Sequence, residues 1–129
     1  MTPDLLDLAR AAVQSPHWRW LPGMRWHVRR APPLDDIAGY LVHPLPPGSH
    51  PYPGALPDLS DPATIGCLLA LVREAWGDQT VYVRHAGRDG WRCHRSGGYA
   101  LATFAPHEPT EPAALVAALL AAPPVTPRQ

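Results

Sequence analysis

Apolar residues recur at helical spacing in three stretches of the chain. In PDLLDLARAAVQ, residues 3–14, Leu5, Leu8, Ala9 and Ala12 fall on one stripe, Thr2 is placed to cap and Pro3 suits the first turn. The strongest helical signal is DPATIGCLLALVREAWG, residues 61–77. Asp61 reads as the N-cap, Pro62 as the first helical position and Gly77 as the stop; Ile65, Leu68, Leu69, Val72 and Trp76 share one face. The stretch EPTEPAALVAALLAA, residues 108–122, predicts a closing helix capped by Thr110, with Leu115, Val116, Leu119 and Leu120 buried.

Period-two alternation marks the strands. After a Pro22–Gly23 turn, Met24, Trp26 and Val28 alternate with Arg25, His27 and Arg29, which predicts a half-buried strand with a basic outer face. IAGYLV, residues 37–42, is its plausible partner. QTVYVRH (79–85), GWRCHR (90–95) and YALATF (99–104) read as three strands joined by the tight turns AGRDG and SGG, a β-meander. In that meander Val81, Val83, Trp91 and Cys93 form an apolar face, and Tyr82, Arg84, Arg92 and His94 face the other way. Between the halves lies HPLPPGSHPYPGALPDLS, residues 43–60, with six prolines and two glycines, which reads as a long, extended, partly mobile connection. Strands that come in runs predict an α+β fold, an α/β/α-type sandwich in which an antiparallel sheet packs with two to three helices. The expected organisation is one domain over residues 1–122 and a flexible tail over 123–129.

Composition narrows the partners. The 129 residues suit one domain with a real core. Formal net charge is zero, so long-range attraction to nucleic acid or anionic lipid is not built in. All eleven basic residues are arginine, which excludes a catalytic lysine and makes every cation a planar fork suited to carboxylates, phosphates and aromatic faces. The N-terminal stretch lacks the pattern of a signal peptide, and no apolar run reaches the roughly 18 residues that span a membrane. No membrane association and a reducing cytoplasm are therefore expected.

Candidate chemistry is sparse. Cys67 sits in an apolar helical run and reads as core; a bridge to Cys93 has no support in the spacing. Cys93 and His94 point to opposite faces of their strand and cannot act as a thiolate–imidazole pair. The seven histidines lie outside metal-binding spacings, so neither a metal nor another cofactor is expected. Asp35 and Asp36 read as solvated turn residues, and Asp58 and Asp61 as flanks of a helix start. The arginine–aromatic set carries the functional signal. It comprises Trp18, Arg19, Trp20, Arg25, His27, Arg29 and Arg30 in the first half, and Tyr82, Arg84, Arg92 and His94 in the second. Arg25, His27, Arg29, Tyr82, Arg84, Arg92 and His94 are the candidate binding residues, because arginine forks beside rings hold anions, stack bases or anchor interfaces. An ordinary solvated sheet face accounts for the same residues.

Residues 56–122 also carry a resemblance. LPDLSDPATIGCLLALVREAWGD, a strand, GWRCHR and EPTEPAALVAALLAA together resemble small proteins of tailed phages and prophages, similar in plan to the phage ABA-sandwich domain. That family has a helix ending in tryptophan, a tryptophan-containing hairpin and a closing apolar helix. The resemblance implies a phage origin and a sandwich fold, and it transfers no catalytic residue. The expected function is a non-enzymatic, phage-encoded binding protein in the cytoplasm of the infected host cell. It would contact a host or phage protein, for instance as a counter-defence (anti-CRISPR-like) inhibitor. One alternative is a sponge for a nucleotide or cyclic nucleotide, a nucleotide-like anion held at a homo-oligomer interface. The other is a small metal-assisted enzyme.

Overall fold

A computed structural model describes residues 3–101 and 107–124. The chain runs through α1 (Pro3–Gln14), β1 (Arg25–Val28), β2 (Ile37–Tyr40), β3 (Leu56–Pro57), α2 (Pro62–Trp76), β4 (Tyr82–His85), a short 3-10 turn, β5 (Trp91–Arg95), β6 (Tyr99–Ala100) and α3 (Glu111–Ala121). This is an α+β fold in which antiparallel strands pack against helices. The strands form two three-stranded sheets, ordered β2-β1-β3 and β4-β5-β6, the second being the meander that the alternation predicts.

α3 is the hub. Pro112 to Val116, Ala118 and Leu119 are all buried, because this helix is apolar on every side and meets α1, α2 and β5 together. The Trp76 indole donates to the Ala118 carbonyl at 2.8 Å, locking the end of α2 onto it. Leu120, expected inside, is exposed, since the neighbours of α3 leave that side to solvent. In α1 the buried stripe is Leu6, Ala9 and Ala12, with Leu5 and Leu8 only half-buried; the inward face is turned by one residue from the expected stripe.

Of the three predicted N-caps, the two that fall on described residues are present. Thr110 accepts from the Ala113 amide at 3.2 Å. Asp61 accepts from the amide and the hydroxyl of Thr64. The fully buried Thr64 hydroxyl in turn accepts the Arg25 amide at 2.8 Å, so one side chain joins the start of α2 to β1. Gly77 closes α2 in the left-handed conformation, at φ 62°, that favours glycine.

The proline-rich stretch is more structured than its composition suggests. It supplies β3, and Ala55, Pro57 and Leu59 are buried. Pro57 is tolerated there because β3 is an edge strand. Tyr52 stacks on Trp26 with ring centroids 5.9 Å apart, while Trp26 lies directly across Gly39 of β2, where any Cβ would meet the indole at 2.9 Å. Of the segments expected at the chain ends and in the last strand, Thr2 as a cap, residues 102–104 and residues 125–129 lie outside the described residues.

Candidate functional site

The meander places four of the expected residues side by side. β4 and β5 pair Tyr82 with His94 and Arg84 with Arg92 on one face, and Val83 with Cys93 on the other. Tyr82 and His94 stack at 5.7 Å. The Nδ1 of His94 lies 3.0 Å from the Gly98 carbonyl, and a carbonyl can only accept, so this nitrogen carries the proton. Arg84 is exposed and has no ion pair among the described residues.

Arg25, His27 and Arg29 sit on or just beyond β1, in the other sheet. The seven expected binding residues therefore form two faces rather than one, because the chain splits its strands between two sheets. Arg25 is already engaged: it lies 3.3 Å from the Asp58 carboxylate, donates to the Tyr40 hydroxyl at 3.2 Å and covers the Tyr40 ring. Arg30 is likewise taken, donating to the Asp35 carbonyl at 2.6 Å; its amide bonds the Asp36 carboxylate, which is thus a turn brace and not merely solvated. Burial beside Leu56 pulls the His27 imidazole below its ordinary pKa, with Asp58 opposing. His27 and Arg29 border a depression of about 210 Å³ with Leu6, Arg10, Gly54 and Leu56.

A second depression, of about 350 Å³, lies beyond the same Gly54–Leu56 wall. It is lined by Trp18, Arg19 and Trp20 from the turn after α1, and by Ser49 and His50 from the proline-rich stretch. Trp18 and Trp20 make an edge-to-face pair at 5.3 Å, so the ring plane of Trp18 is fixed. The Arg19 head group reaches Glu74 at 2.5 Å. Trp18 Nε1 and Arg19 Nε are buried with no acceptor among the described residues. A buried donor left unpaired costs about 1–3 kcal/mol, and both of these atoms are closed off from the depression's solvent. Trp18 and Arg19 were visible in the sequence as part of the arginine–aromatic set; Ser49 and His50 were not, being more than 28 residues away in the chain.

A third and larger concavity among the described residues, about 780 Å³, is not foreseen from the sequence. The N-terminal halves of α1 and α3 converge there with the start of α2. Leu5, Leu8, Leu59, Ile65 and Pro112 supply an apolar floor. Asp4, Asp7 and Glu108 stand on its rim. Asp7 already holds Arg10 at 3.1 Å; Asp4 and Glu108 have no ion pair among the described residues. No sequence pattern announces this groove, because its walls come from three separate stretches.

The cysteines are free thiols. Cys93 points into the core toward the Ala114 carbonyl, and burial, with Glu111 nearby, pushes its pKa up to about 12. Cys67, expected in the core, is only half-buried: its helix face meets the Pro22–Gly23 turn, and its thiol donates to the Pro22 carbonyl at 3.4 Å. Burial, then Asp61, raises its pKa as well. A thiol of pKa near 12 is ionised in about one molecule in ten thousand at pH 8. A maleimide at pH 8 is thus expected to modify Cys67 first and Cys93 only on unfolding. Equal labelling rates in the native protein would contradict this burial.

Among the described residues no three His, Cys, Asp or Glu side chains gather to hold a metal ion, and no helix is long and apolar enough to cross a membrane. Compared with protein-family models, curated proteins and solved structures, the chain finds no match in any of the three.

Proposed function

We propose that the chain is a binding protein that seats an amphipathic, arginine- or lysine-bearing segment of a partner protein in the α1–α3 groove. The observation that carries this reading is the groove itself: an apolar floor in a concavity of about 780 Å³, rimmed by Asp4 and Glu108, which have no ion pair among the described residues. An apolar floor accepts the nonpolar side of a helix or extended segment. The rim selects the charge of the other side. Helix N-termini bring partial positive charge, about half a unit each, and Asp4 in the first turn of α1 partly answers it. The two carboxylates without an ion pair, Asp4 and Glu108, outweigh these partial charges, so the favoured occupant is cationic. Contact of this kind needs no catalytic group. The resemblance to phage proteins is what suggests a host target and a counter-defence setting.

The test uses two fluorescent peptides of 14 residues, one a leucine/arginine amphipathic helix and the other its leucine/glutamate counterpart. The expected result is saturable binding of the first only, with affinity falling as salt rises. The combined change Asp4→Asn and Glu108→Gln should weaken it about fivefold to tenfold and flatten the salt dependence. Leu8→Gln, with folding checked by its melting curve, should abolish it. No binding of the arginine peptide, equal binding of both peptides, or binding indifferent to these changes would overturn the proposal.

A further inference from the structure

We infer that the outer edge of β2 is an interface for a second copy of this chain, paired strand to strand and antiparallel about a twofold axis at Tyr40. The inference goes beyond the groove reading and shares no residue with the groove. The direction of the main-chain groups carries it. Along an antiparallel pair, the N–H and C=O groups of successive residues alternate between the partner strand and the other side. The Leu41 amide donates to the Met24 carbonyl at 2.9 Å, and the Leu41 carbonyl accepts from the Gly23 amide at 2.7 Å, so Leu41 is turned toward β1. Arg25, across from Tyr40, turns its own amide and carbonyl away from β2, to Thr64 and Asp58. Ala38, Tyr40 and, by the same alternation, Val42 therefore direct their N–H and C=O groups off the sheet, where no described residue bonds them. Such a row is a template for another strand.

The side chains leave this edge unguarded. Of the other edge strands, β3 and β6 have two residues each, β3 with a proline, and β4 carries Arg84 and His85. Residues 37–42, IAGYLV, hold neither a charge nor a proline. Tyr40 and Val42 are 55% and 75% exposed, and Leu34 stands exposed just before the strand. The edge is self-complementary, which is what a twofold interface requires. The register centred on Tyr40 uses all three outward residues: Tyr40 faces Tyr40, and Ala38 faces Val42, a small side chain against a larger one. Arg25, which covers the Tyr40 ring, already has Asp58 at 3.3 Å, so its charge is answered within each copy. Asp35 and Asp36, at the entry to the strand, come alongside His43 at the exit of the second copy's strand, so like charges do not meet there.

Sedimentation velocity of the whole chain over a range of concentrations tests the assignment. A pairing this short buries less than the roughly 1,200 Å² of a standard interface, so a reversible dimer with a Kd of about 10–100 µM is expected. Tyr40→Glu sets two carboxylates against each other on the axis, while Arg25 still gives the new side chain a partner in the monomer. It should weaken the dimer at least about tenfold. Mixing this variant with Tyr40→Lys should restore association between the two, a recovery that misfolding cannot produce. Ala38→Pro, with folding checked by its melting curve, removes one outward N–H and leaves the bonds to β1 in place; it too should weaken the dimer. The inference is overturned by a monomer at every concentration up to about 1 mM. It is equally overturned by assembly beyond a dimer, by a dimer indifferent to Tyr40→Glu, or by a Glu/Lys mixture that does not associate.

Discussion

Gly90→Ala is expected to destabilise the protein by about 3–5 kcal/mol, the largest effect of any small substitution on its surface turns. Gly90 precedes β5 with φ 94° and ψ −144°, a region that residues with a side chain rarely enter. Space adds to the conformational cost. A Cβ there would lie 2.3 Å from the Glu108 carbonyl oxygen, a backbone atom that cannot swing aside. Relief would require opening the bridge in which Trp91 and Glu108 exchange backbone hydrogen bonds of 2.7 and 2.8 Å. That bridge ties the meander to the entry of α3 and fixes Glu108 on the groove rim. Urea unfolding followed by far-ultraviolet circular dichroism measures the loss. A change below about 1 kcal/mol would show that the bridge yields freely.

Leu119→Ala should cost about 3 kcal/mol, whereas Leu120→Ala should cost no more than about 0.5 kcal/mol. Leu119 is fully buried where α3 meets its neighbours, and truncation leaves a cavity in a region packed on several sides. Leu120, one residue on, is 53% exposed. The pair is a sharp test because the sequence treats them alike. A fall in melting temperature of roughly 9–15 °C for the first, and little for the second, is the expected readout in a chain of this length. Similar losses at both positions would mean that α3 is rotated from the orientation described.

The contrast between these two leucines shows how far periodicity reaches. It finds α3, its threonine cap and the aspartate cap of α2, because caps and apolar stripes are local chemistry. It cannot choose which side of an all-apolar helix stays wet, since that depends on where α1, α2 and β5 arrive. The polar face of the meander was legible to the residue: Tyr82, Arg84, Arg92 and His94 follow from alternation plus two short turns. β3 was not, because two residues containing a proline make no alternating pattern, and its pairing with β1 joins stretches far apart in the chain. The division into two sheets escaped for the same reason, and with it the separation of Arg25, His27 and Arg29 from the meander set. Of the concavities, the Trp18 depression was half visible through HWRW, while the groove, assembled from three stretches, was invisible.

The most direct measurement on the groove is a two-dimensional amide NMR titration of the isotopically labelled chain with the leucine/arginine peptide. Chemical-shift changes are expected at residues 4–8, 59–65 and 108–113, with the meander amides of Arg84 and His94 unmoved. Changes confined to the meander face, or none at saturating peptide, would contradict the groove as the binding surface.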